Sequence, residues 1–506
     1  MCSSDLGTVT SSNVVENAGN LVGTNIIRGA LQWQAGNWDG AGPVAVAAGS
    51  TLYINNTPDH DLANCIFTNN GTVVWTSGRI RGGGNPSGTQ IYNNGLFDVQ
   101  NDGYGINNDF NGVGTTLDNF GTFRKSVGNN ANNTPISGGV LFNQLSGLLD
   151  VQSGNLSLQG SGNFTGGKAT NTVGTLVLNG GGFFINGTIT STNVQINGGT
   201  LAAGNNVVNG GLNWVVGSWN NAGAMTIAPG SLLLITSAND HDLANCTFTN
   251  NGTVLWLAGR LRGGGMPGTP IYNNGLFDVQ CDSSLNDDFN GTGTTFNNAG
   301  TVRKELTSGV TAFTGGVTFN NTGTMDMQNG NLALQGAYTL ANGTKMGFGL
   351  GGWLGNGSIS LLGPAAFNGS VSVNLNGYFY PSVGNSFNLL NYTSETGVLF
   401  TNMVLPPQFT WQSNYNATAY AITVVTRPAI TNTASTNIYS HVINGTTLYL
   451  AWPGDHTGWS LQAQTNSLSV GLTTNWTTVA GSSVSNEFFM PINTTNSSVF
   501  FRMIYP

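Results

Sequence analysis

Charge is what this chain most lacks. Of its 506 residues only 7% are Asp, Glu, Lys or Arg, against roughly 25% in an average soluble protein. Its 13 Lys and Arg are scattered and the formal net charge is −8. Without a basic stripe to track phosphates, nucleic acid is excluded as a partner. No apolar run reaches the roughly 18 residues of a membrane-crossing helix, so no transmembrane segment is expected. Cysteine is scarce too: Cys2, Cys65, Cys246 and Cys281 show no CxxC spacing, which argues against a zinc site and a disulfide framework. Helical periodicity is nowhere sustained. The start, "MCSSDLGTVTSSNVVENAG", lacks the basic end and apolar core of a signal peptide and reads as truncated, with its true beginning missing.

What is present is glycine, 75 residues of it, with Asn, Thr and Ser filling most polar positions. Such a composition can mean disorder, but 39% hydrophobic and 10% aromatic residues are spread evenly along the chain, enough to bury a core. A long repeat is explicit. Trp33 and Trp38 recur as Trp214 and Trp219, 181 residues on (214 − 33). "IYNNGLFDVQ" begins at Ile91 and again at Ile271, 180 on (271 − 91), and "GTFRK" at Gly121 returns as "GTVRK" at Gly300, 179 on (300 − 121).

Inside each copy a shorter beat recurs. Turns ending at Gly71, Gly95, Gly121 and Gly147 are spaced 24, 26 and 26 residues apart, each followed by alternating apolar and polar residues. Asn-Gly supplies positive-φ corner geometry, and the alternation marks a strand with one buried face. About 24 residues per lap predicts an all-β parallel β-helix (β-solenoid) with rungs about 4.8 Å apart. Some 400 residues would make about 17 coils and a rod on the order of 80 Å long. A string of antiparallel sandwiches is the alternative, but it needs hairpins about every ten residues.

A parallel stack explains the missing charge. Two like charges one rung apart cost about 0.9 kcal/mol even in water, whereas Asn and Thr stack without that penalty. The charges that remain should pair. Three residues beyond successive turn glycines stand Asp98, Arg124 and Asp150, and in the second copy Asp278, Arg303 and Asp326. We expect two surface Asp–Arg–Asp columns, each crossing three rungs.

The expected organisation is 1–29 partial N-terminal rungs, 30–210 and 211–385 the two solenoid copies, 386–428 capping strands that close the stack, and 429–506 a small antiparallel β-sandwich, Ig-like or fibronectin-III-like. The segment "AITNTASTN" after Pro428 reads as a linker.

The units "NNGT…W", "NNAGTVRK" and "VQNGNLALQG" resemble repeats of large secreted bacterial surface proteins, the autotransporter passengers and filamentous-haemagglutinin-like adhesins. "SFNLLNYTSETGVLF" is similar to the strands that finish such passengers, and the tail "LAWPGDHTGWSLQAQTNSL…FFRMIYP" to a C-terminal module of secreted verrucomicrobial-type proteins. The resemblance covers most of the chain. It implies export, an extracellular or cell-surface location, and export machinery as a partner of the C-terminal module.

Three patterns are candidates for chemistry. "DHDLANC" occurs twice, at Asp59 and Asp240. Asp59 and Asp61, or Asp240 and Asp242, could ligate a metal, yet a strand would put them on one face and His60 on the other, so a polar corner is the preferred reading. Asp109 and Asp288, in "NNDFNG" and "NDDFNG", could hold calcium at a glycine corner, although one or two acids make a poor cage. Trp38, Trp219, Trp459 and Trp476 could stack on sugar rings, or else fill the core. No P-loop, nucleophile elbow or zinc signature is present, and no cofactor is expected. The expected function is a non-catalytic, adhesin-like surface or matrix protein binding an unknown surface glycan or protein. Polysaccharide binding is the alternative, with a β-helical polysaccharide lyase or hydrolase behind it.

Overall fold

A computed structural model describes residues 6–128, 132–190, 193–366, 369–396, 400, 402–428, 432–467, 469–496 and 498–505. Cys2 and the linker residues 429–431 lie outside them. The fold is a parallel β-solenoid of about 15 coils, each of about 23 residues. No helix among the described residues is long and apolar enough to cross a membrane. The chain divides into two compact units, Met1–Phe277 with Asn286–Thr295, and Asp278–Leu285 with Phe296–Pro506.

Through most of the first unit a short strand pairs in parallel with the third strand after it. One column runs Thr51–Ile54, Thr72–Trp75, Leu96–Val99, Thr122–Lys125, Leu148–Val151 and Lys168–Asn171. A second runs His60–Asp61, Ile80–Arg81, Ile106–Asn107, Asn133–Ile136 and Asn155–Leu158. The third runs Val44–Val46, Ile66–Asn69, Thr89–Asn93, Thr115–Asn119 and Val140–Gln144. Pairing at every third strand gives each lap three faces. The coils number about 15, against the roughly 17 expected. They are also uneven in length: Asp150 reaches its neighbour on the next coil, Thr170, after 20 residues, and Asp98 reaches Arg124 after 26.

Alternation sends one side chain in two inward, and the inward residues form columns. Phe97 and Phe123 stack with centroids 5.1 Å apart, and Phe142 meets Phe123 edge-on at 5.4 Å. At the corner after each third-face strand, the first Asn of "NNG" also turns inward. Asn69 donates to Asn93 at 2.8 Å, Asn93 to Asn119 at 2.7 Å, and Asn119 to Gln144 at 2.8 Å, all fully enclosed. The second Asn stays outside, and there Asn94 donates to Asn70 at 2.9 Å.

The corner glycines correct an expectation. Gly71, Gly95, Gly121 and Gly147 are not at positive φ. Glycine is required by close approach instead: a Cβ on Gly95 would lie 2.1 Å from the Gly71 carbonyl oxygen, and one on Gly147 only 1.9 Å from that of Gly121. The next amide takes that carbonyl, as Leu96 does from Gly71 at 2.9 Å. Any side chain would push the rungs apart.

In the second unit Thr301–Lys304, Thr324–Met327, Lys345–Leu350, Ser370–Leu375 and Asn402–Val404 form one parallel column. Ser386–Asn391 then pairs antiparallel with Ala419–Thr426, which pairs antiparallel with Thr410–Asn416. This hairpin covers an edge that parallel pairing would leave open. Beyond it, Tyr439–Ile443, Thr447–Ala451 and Glu487–Pro491 form one antiparallel sheet, and Thr477–Thr478, Ser460–Thr465 and Val499–Ile504 another. Their shared core is Leu450, Trp452 and Leu461, flanked by Phe488, Phe501 and Met503.

Candidate functional site

The doubled "DHD" begins as two-residue strands. His60 and Asp61 pair in register with Ile80 and Arg81, so His60 shares the inward column of Ile80 and Asp61 the outward column of Arg81. Arg79 grips Asp59 through Nε at 2.9 Å and Nη2 at 2.7 Å, and Arg81 grips Asp61 at 2.7 and 2.9 Å. Arg79 also reaches Asp109 at 3.3 Å, and the Arg81 guanidinium lies 5.3 Å from the centre of the Phe110 ring. The second copy repeats this. Arg260 holds Asp240 at 2.8 and 2.7 Å and reaches Asp288 at 3.4 Å, while Arg262 holds Asp242 at 2.8 Å and lies over Phe289. The fork from Arg79 keeps Asp59 below the usual carboxylate range, and Arg260 does the same for Asp240. A cation would have to displace these guanidinium groups. Among the described residues no three His, Cys, Asp or Glu gather into a metal-binding group.

His60 belongs to a different environment. Trp33 and Trp38 stack with centroids 3.8 Å apart, and His60 meets Trp33 edge-on at 4.8 Å. Trp214, Trp219 and His241 repeat the arrangement at 3.7 and 4.8 Å. Nε2 of His60 lies 2.9 Å from the Trp33 carbonyl oxygen, which assigns the ring proton to Nε2. Burial holds both imidazoles below their ordinary value of 6.5. Five residues on in each copy, the Cys65 and Cys246 thiols are pushed up to about 12 by burial, which removes them as nucleophiles at neutral pH.

A pH dependence follows with a definite sign. The unfolded chain takes up protons on these histidines below about pH 6.5 and the folded chain resists. Stability should therefore fall as pH drops below 6.5, by up to about 1.4 kcal/mol per pH unit for each histidine. Glu16, hydrogen-bonded to Trp38 Nε1 at 3.0 Å, works in the opposite direction, because burial raises its carboxyl to about 7. Denaturant melts between pH 7 and 5 should show a shallower slope in a His60→Gln, His241→Gln double variant and a steeper one in Glu16→Gln. An unchanged slope in the double variant would mean that the histidines are not held neutral.

In the Asp–Arg–Asp columns, Asp98, Arg124 and Asp150 are consecutive partners in register. Arg124 commits to Asp98, at 3.1 and 2.9 Å, while Asp150 accepts from Gln152 and Thr170. Asp98 is only 4% exposed, so this is a half-buried clasp and not the expected surface pair. Burial pushes its carboxyl up, but bonds from Arg124 and Gln100 outweigh that and hold it low. In the second copy Arg303 turns the other way, to Asp326 at 3.1 Å. Asp278 accepts from Gln280 at 3.0 Å and is raised by burial, with the Glu305 carboxyl beside it. Ser126 stands where the second copy has Glu305, and that exchange accompanies the changed pairing.

The tryptophan candidates need correction. Trp38 and Trp219 have no exposed surface, and Trp459 is buried with Nε1 donating to the Asn432 carbonyl at 3.0 Å. An enclosed ring offers no face to a sugar. Trp476 is half-buried and carries the Arg502 guanidinium 4.3 Å from its ring centre. The aromatics that do line a cavity, Trp353, Tyr378, Tyr439 and Tyr449, carry no repeat signal and were missed. Also missed were Lys125 and Lys304, which are completely buried. Their inward parity, two residues after Phe123 and Val302, is the signal that could have found them.

No protein-family model matches the sequence, and no curated protein matches it.

Proposed function

We propose that this is an exported, non-catalytic surface or matrix protein whose stacked coils present a nearly uncharged face to an adhesion partner. One observation carries the reading: the repeated ionic residues are engaged with partners on neighbouring coils, and amides fill much of the outward face. Asp59, Asp61, Asp240 and Asp242 each hold an arginine 20 residues on. Amide-to-amide bonds between coils run along the outer side, such as Asn163 to Asn143 at 2.8 Å and Asn320 to Asn297 at 3.0 Å. Asp59 and Asp240, held low by their guanidinium partners, suit register better than proton transfer. The likeness to adhesin repeats supports the same reading.

The test is accessibility on living cells. With the chromosomal gene tagged, protease added to intact cells should degrade the protein while a cytoplasmic marker survives. Protection that lasts until the cells are lysed would overturn the surface assignment.

A further inference from the structure

Within the second unit, the last coils and the C-terminal sheets border a half-open cavity of about 330 Å³ lined by Trp353, Tyr378, Tyr439, Tyr449, Asn329 and Asn376. The volume is at the small end of ligand sites. Two consecutive left-handed glycines, Gly351 at φ 76° and Gly352 at φ 78°, make the turn that presents Trp353. The His441 ring backs that indole with centroids 4.1 Å apart. Tyr439 stands 6.2 Å from both Tyr378 and Tyr449. Tyr378 and Tyr439 keep 47% and 44% of their surface exposed, whereas Tyr449 is buried. The Tyr449 hydroxyl donates to the Glu487 carboxylate, which also accepts the Gly352 amide at 3.1 Å. The aromatic wall is therefore braced from behind. Asn376 donates to the Gln328 carbonyl at 2.8 Å and Asn329 to the Gly355 carbonyl at 3.1 Å, so both amides are held in place.

Aromatic faces, two fixed amides and a lining without Lys or Arg select a particular ligand chemistry. A sugar ring has a C–H face that packs on an aromatic ring and hydroxyls at its rim that pair with amides. The missing cations disfavour phosphate and acidic sugars. A proline-rich peptide would need a long aromatic track at about 3.1 Å per residue, whereas these rings line one compact space. We infer that this cavity binds a neutral saccharide, one sugar ring packing on Tyr378 and Tyr439 with its hydroxyls on Asn329 and Asn376.

The inference goes beyond the surface assignment and does not depend on it. Calorimetric titration of the full chain should use neutral oligosaccharides built on glucose, mannose, galactose or N-acetylglucosamine, beside a sialylated sugar and a proline-rich peptide. At least one neutral sugar should bind. Tyr378→Ala and Tyr439→Ala should each weaken it about tenfold with melting temperature unchanged, and Tyr378→Phe and Tyr439→Phe should retain it. Failure of every neutral sugar, preference for the acidic sugar or the peptide, or binding that survives Tyr378→Ala with Tyr439→Ala would each overturn the proposal. A cytoplasmic location with intact sugar binding would sink only the surface assignment.

Discussion

Replacing Lys125 by Met should cost about 3–5 kcal/mol of stability, the usual loss when one partner of a buried ion pair is removed. Lys125 ends the strand Thr122–Lys125 and is fully buried. Its register neighbours are Trp75 and Val99 on preceding coils and Val151 on the next, so a cation stands in an apolar column. All three ammonium protons are used: Nζ donates to the Asn101 carbonyl at 2.6 Å, to Asp102 Oδ1 at 2.9 Å and to the Val127 carbonyl at 2.7 Å. Glycines close over it, since a Cβ on Gly154 would lie 2.9 Å from the Lys125 Cε. Methionine keeps the stem and leaves Asp102 and the Val127 carbonyl without that donor. Lys304 makes the equivalent set, to the Cys281 carbonyl at 3.2 Å, Asp282 at 2.9 Å and Thr307 at 2.8 Å. Chemical denaturation would read the loss as a shifted midpoint. Adding Asp102→Asn to Lys125→Met should restore part of it, because the carboxylate that lost its ammonium is removed. A single variant within about 1 kcal/mol of the parent would show that the ammonium anchors nothing.

These lysines show where a period-2 reading stops. Alternation alone placed Phe97, Phe123 and Leu149 inward, and the 24-to-26-residue beat implied parallel stacking, because both depend on spacing that a single chain displays. The reading of "DHD" followed from the same parity. The corner glycines were located correctly for the wrong reason. A chain read alone suggests local φ, but the constraint is the carbonyl of the preceding rung, which only stacking reveals. Trp38 and Trp219 were open to two readings because each follows a glycine turn, where parity is lost. Their stacking on Trp33 and Trp214 is a three-dimensional fact. The choice of Arg124 for the preceding Asp and Arg303 for the following one depends on neighbours such as Glu305 that the column pattern does not contain. The aromatic cavity joins residues about 100 apart without any period, so no repeat could announce it.

The second large effect separates two adjacent asparagines. Asn93→Asp should cost about 4–6 kcal/mol at neutral pH, summing two stranded acceptors and a buried charge. Asn93 is fully buried; it accepts from Asn69 at 2.8 Å and donates to the Asn119 side chain at 2.7 Å and the Thr122 carbonyl at 2.9 Å. A carboxylate keeps the first bond and turns both others into oxygen facing oxygen. Burial will raise the introduced carboxyl's pKa, so the deficit should shrink in acid, where the protonated form can donate one bond, and grow as pH rises through that pKa. Asn94→Asp changes the same atoms one position later, on the exposed column where Asn94 donates to Asn70. Water can solvate that carboxylate, so the cost should stay below about 1 kcal/mol. Equal losses for the two variants, or no pH dependence in the first, would mean that the inner amide column is not what holds successive coils in register.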